Sequence, residues 1–81
     1  MAVDSSAFIV VPVEATVPIL WRAMRTIRTS LNITKIYWHP DERVRDGCHF
    51  RLEVPVAQLH DPATARGRIQ SILVDHGAAL L

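Results

Sequence analysis

Cysteine is nearly absent from this 81-residue chain. The single residue, Cys48, excludes an internal disulfide and leaves a thiolate metal site short of ligands, which predicts a reducing, cytoplasmic setting. Three glycines and five prolines exclude collagen-like and low-complexity composition. Long apolar runs are missing as well: residues 8–13 are too few to span a membrane. Residues 1–6 carry Asp4 where a secretory leader needs positive charge. Net charge is close to nil, with nine Lys/Arg against eight Asp/Glu. What the chain does have is apolar residues, 49% of the total, too many for a disordered segment. Residues 1–81 are therefore expected to fold as one domain with a small core, burying roughly 60–65% of the unfolded surface.

The hydrophobic period changes four times. Residues 7–13 form a continuous β-branched run, which predicts a first strand buried on both faces. Val17, Leu20, Trp21, Met24, Ile27 and Leu31 then fall on one helical stripe, with Thr16 as the expected cap and Pro18 where a missing N–H is harmless. Residues 33–39 are rich in β-branched and aromatic side chains and predict a second strand, stopped at Pro40-Asp41-Glu42. After the Asp46-Gly47 turn, Cys48, Phe50, Leu52 and Val54 alternate with His49, Arg51 and Glu53, the clearest strand signal in the chain. Asp61-Pro62 opens a second helix whose face runs through Ala65, Ile69, Ile72, Leu73 and His76 to a stop at Gly77. Within it, Gly67 is expected to allow a close approach to the sheet or to a partner. Residues 78–81 are an apolar tail that should dock or add a brief last strand.

This order, βαββα(β), predicts an α+β ferredoxin-like fold: an antiparallel sheet with both helices on one face. The other face then has no cover, and both alternating sets of the first strand, Ile9/Val11/Val13 and Phe8/Val10, are apolar. Such a row predicts pairing with another surface, with Ile9, Val11 and Val13 as the dimer interface.

Residues 13–20, with Pro18, and residues 30–36, with Asn32-Ile33, give the chain a further likeness. It resembles the ACT domain, a small ferredoxin-like regulatory module of amino-acid metabolism, over nearly its whole length. Pro18 matches the family's helix-opening proline and Asn32-Ile33 its Asn-Ile pair, while Ile19 stands where the family usually has Gly. The resemblance implies a non-catalytic, ligand-sensing domain that forms a homodimer or docks on a larger metabolic enzyme. It also implies a small amino acid bound between protomers by Glu14, Ala15, Thr16 and Asn32.

An alternative function rests on charge. The segment 15–40 holds Arg22, Arg25, Arg28 and Lys35 and no acid, so it carries +4 while the remainder carries −3. Such a helix face can track phosphates, which makes nucleic acid or another anion the rival partner. A purely structural interaction domain is the third reading. The base-stacking aromatics of an RNA-recognition sheet are missing from the third strand's polar face, which offers His49, Arg51 and Glu53. His39, His49 and Glu53 read as hydrogen-bonded surface groups, and no metal or other cofactor is expected. Cys48 and His49 point to opposite faces and cannot act as nucleophile and base, so no enzyme is expected. Cys48, Trp21 and Trp38 read as packing residues.

Overall fold

The computed structural model describes residues 7–81, so the reading of residues 1–6 lies outside it. The chain runs β1 (Phe8–Glu14), α1 (Val17–Leu31), β2 (Tyr37–Pro40), β3 (His49–Pro55), a single 3-10 turn (Val56–Gln58), α2 (Pro62–Asp75) and β4 (Ala79–Leu80). The sheet order is β2-β3-β1-β4 and every neighbouring pair is antiparallel. Each strand–helix–strand unit therefore steps over one intervening strand, the split arrangement of the ferredoxin-like plan. Among the described residues no helix is long and apolar enough to cross a membrane.

Register decides which side of each strand is buried. Val11 sits opposite Leu52, and Ile9 and Val13 opposite Val54 and Phe50, so the apolar alternation of β3 brings the odd-numbered set of β1 onto the same face. That face packs beneath the helices, against Leu20, Ala23, Met24 and Ile27 of α1 and Ala65, Ile69 and Leu73 of α2. Ile9, Val11 and Val13 are thus core residues of this chain and cannot be the dimer interface the sequence predicted. The row left to solvent is the even-numbered one: Phe8, Val10, Pro12 and Glu14. Glu14 carried the signal, because a carboxylate in phase with Phe8 and Val10 marks the wet side.

Both helices end as their residues dictate. Asn32 takes the left-handed conformation (φ 55°), while the Ile33 N–H reaches the Arg28 carbonyl at 3.0 Å and drives Ile33 into the core. Gly77 (φ 99°) does the same for α2, with the Ala78 N–H on the Leu73 carbonyl at 2.9 Å. The buried turn at Ile33 corrects the second strand, which starts at Tyr37 and not at Ile33. Residues 34 and 35 are held instead by a side chain from elsewhere: the Gln58 amide oxygen accepts from both backbone N–H groups, and its nitrogen donates to the Lys35 carbonyl. A backbone bound in this way has no ladder partner to make it a strand.

The apolar tail does add a strand. β4 pairs with Val13 and Glu14, and the Leu81 N–H still reaches the Pro12 carbonyl at 3.2 Å. There the ladder stops, since Pro12 has no N–H to return. The next outward carbonyl of β1, that of Val10, is taken by Arg66 of α2 at 3.0 Å.

Candidate functional site

The start of α1 forms the first candidate site. Glu14 ends β1, Ala15 is buried with its N–H on the Cys48 carbonyl (2.8 Å), and Thr16 is the residue before the helix. Thr16 does not cap the helix with its side chain. One of the two amides such a cap would bind, that of Pro18, does not exist. The N–H groups of Val17 and Ile19 therefore have no partner from the cap, while the Thr16 carbonyl already takes Leu20. Glu14, Ala15, Thr16, Ile19, Cys48, Gly77 and Ala79 line an open hollow of about 280 Å³ here. Cys48 is thus only half-buried, at the wall of this hollow and not in the core.

Asn32 is not part of it. It closes the opposite end of α1, about 22 Å away for a fifteen-residue helix, and faces a separate hollow with Leu59, His60 and Arg68. The four residues implied by the ACT likeness therefore do not meet within one chain.

The open sheet face is the second candidate. Across it run Tyr37, Glu53 and Val10 in one row and His39, Arg51 and Pro12 in the next. Phe8 is 40% and Tyr37 43% exposed, and their rings meet edge to face at 6.1 Å. Glu53 joins two neighbours, accepting from His39 Nε2 at 3.2 Å and from Arg51 Nε at 3.1 Å. His39 and His49 are each held by a different acid. Asp46 takes His49, with Nδ1 donating to Oδ2 at 2.5 Å, while its Oδ1 accepts the N–H groups of Cys48 and His49 at 2.8 and 3.1 Å. The Cys48 amide above all holds the exposed Asp46 carboxyl below its ordinary value; desolvation opposes it, and the His49 ring and amide add smaller downward contributions. Glu14 stands beside this pair, its ligand atoms within 4.8 Å of those of Asp46 and His49. Sequence reading missed that grouping, although the Asp46-Gly47 turn and the spacing to His49 were visible in it.

The third candidate is the outer flank of α1. Arg22, Arg25 and Arg28 line a hollow of about 140 Å³ with Trp21. Lys35 lies past the helix end, in the connection held by Gln58, and does not line it. Neither tryptophan is a core residue: Trp21 is 47% and Trp38 36% exposed. Trp21 meets Trp38 edge to face at 5.9 Å, and Trp38 meets the buried Phe50 at 5.7 Å in the same way. Trp21 looked internal in the sequence because it falls on the apolar stripe, but Ala23 takes the inward position instead.

No protein-family model matches the chain, and neither a curated protein nor a solved structure matches it. The class its own geometry defines is that of a small α+β ferredoxin-like domain with one sheet face that no described element covers.

Proposed function

We propose that the chain is a non-catalytic regulatory module that pairs with a second copy of itself through the open face of its sheet and takes a small amino acid at the turn between β1 and α1. The observation that carries the pairing is the half-exposed apolar set Phe8, Val10, Pro12 and Tyr37, on a face that no described element covers. Fully burying an aliphatic or aromatic side chain contributes about 1.5–3 kcal/mol, so covering this row is a substantial driving force. Beside it, Arg51, His39 and Glu53 present both signs of charge. A two-fold axis can set the cationic part of one copy against the anionic part of the other, which favours a second copy over a partner of one sign.

The amino-acid site draws its support from complementary charge. A ligand carboxylate suits the open amides at the start of α1, and its ammonium group suits Glu14. The likeness to ACT domains at Pro18 and Asn32-Ile33 points the same way. Asn32, at the far end of α1, joins such a site only when a second copy supplies it.

Sedimentation over a wide concentration range tests the pairing: a dimer is expected, and Val10→Glu should return it to monomer. A monomer at every concentration removes this reading and leaves docking on a larger enzyme as the rival. The ligand is tested by thermal shift against the common amino acids at millimolar concentration. A ligand at one hundred times its Kd adds about 2.7 kcal/mol of stability, a rise that Glu14→Gln should abolish. No shift with any of them sinks the sensing role and leaves the pairing intact.

A further inference from the structure

We infer that the outer flank of α1, together with Trp38 of β2, is a binding surface for single-stranded nucleic acid. It lies off the open sheet face and owes nothing to the proposed pairing. Three observations carry it.

The first is unanswered charge. Among the described residues no carboxylate comes within ion-pair reach of Arg22, Arg25 or Arg28. The first turn of α1 holds no acid either. Arg22 donates through Nε to the Pro18 carbonyl at 3.3 Å, a bond within its own helix that leaves the rest of its guanidinium for an outside acceptor. The arginines of α2 differ: Arg66 and Arg68 are tied to Val10 and Ser30 of the same chain.

The second is aromatic surface fixed in place. Trp21, Arg25 and Arg28 follow one another at spacings of four and three, so the ring and two of the cations share a stripe of the helix. Trp21 rests on Trp38, and Trp38 rests on the buried Phe50. The chain of edge contacts anchors both indoles while leaving each more than a third exposed.

The third is spacing. Arg22, Arg25 and Arg28 rise about 4.5 Å apart along the helix axis, a step of the same order as that between successive phosphates of one strand. The ligand that answers all three observations alternates phosphate with flat apolar rings. An acidic peptide would satisfy the arginines and leave the indoles wet. A duplex presents phosphates but keeps its base faces stacked inside. A single strand offers both, and stacking on indole is tolerant of sequence because every base has a π-face.

The chain has two tryptophans, both in this surface, so intrinsic fluorescence reports on it directly. The test titrates the protein with an oligothymidylate of about ten nucleotides, the same sequence as a duplex, and polyglutamate, from low salt upward. The single strand is expected to quench the emission, with affinity falling as salt rises on a log–log slope of about −2, as three neutralised phosphates on a single strand require. Arg25→Ala, at an exposed position, and Arg28→Ala, at a half-buried one, both checked for folding by circular dichroism, should each weaken binding severalfold and reduce the slope by about 0.7. Trp21→Leu, read by competition, should weaken binding without changing the slope. No quenching at low salt overturns the proposal. So does equal affinity for duplex or polyglutamate, and so does a salt slope unmoved by the two arginine variants.

Discussion

The two helices are of nearly equal length and lie side by side on one sheet, yet they use arginine in opposite ways. Arg66 of α2 closes the Val10 carbonyl on the edge of β1 beyond the reach of β4, and Arg68 binds both the carbonyl and the hydroxyl of Ser30 at the end of α1. These two cations are part of the structure. Among the described residues Arg25 and Arg28 of α1 have no carboxylate to meet, and they stand beside a half-exposed tryptophan. The difference teaches that residue type alone does not distinguish a stitch from a handle. What distinguishes them is whether the fold brings an acceptor within reach.

The comparison can be broken first at its base, where both helices rest on one core. Ile27 and Ile69 are fully buried, one under each helix. Ile27→Ala and Ile69→Ala should each cost about 2–5 kcal/mol, read by urea unfolding, and a large inequality would mean that one helix is an ornament on the other's core. The next effect sharpens the contrast between the arginines. Arg68→Ala should lose about 1 kcal/mol because it frees Ser30, while Arg25→Ala should stay within about 0.5 kcal/mol of the parent. Equal losses would erase the distinction.

A third change works on the backbone of α2. Gly67 was expected to serve a close approach, but a Cβ there would meet nothing within 4 Å. Gly67→Ala should therefore stabilise the chain by about 0.5–1 kcal/mol, and a destabilisation would reveal a neighbour that one copy does not contain. The last and smallest effect lies away from both helices, in the turn before β3. Asp46, held by the Cys48 and His49 amides and the His49 ring, should titrate by NMR below the ordinary aspartate value of 3.8. Because its folded pKa is depressed, its contribution is present above that ordinary value and fades as pH falls through the depressed one. Asp46→Asn should remove this part of the acid response, and comparisons between the helices are best made at neutral pH, where it is constant.

Much of the fold was legible in the sequence because its signals are local. β3 announced itself by strict alternation, α1 by a stripe and by Pro18, and the end of α2 by Gly77. The failures are all non-local. Nothing in residues 33–36 could reveal that Gln58 would hold their backbone and delay β2. Which apolar row of β1 faced inward depended on its register with β3, and only Glu14 hinted at the answer. The candidate site was legible in part. Glu14, Ala15 and Thr16 line one hollow, as neighbours in sequence readily do, and Asn32 is at the other end of the helix. The grouping of Trp21 with Trp38 joins a helix to a strand and could be read only once the two were placed.

The position of β1 also governs the order in which the molecule can assemble. Both of its neighbours come later in the chain: β3 supplies residues 49–55 along one side, and β4 supplies residues 79 and 80 along the other. A strand apolar on both faces is thus made before its partners and must wait for them to emerge from the ribosome. Contacts of such sequence separation slow folding, and they leave a sticky segment unaccompanied during synthesis. Pro12 denies that segment a continuous row of donors, which blunts pairing with another chain before the sheet is complete just as it stops the ladder afterwards.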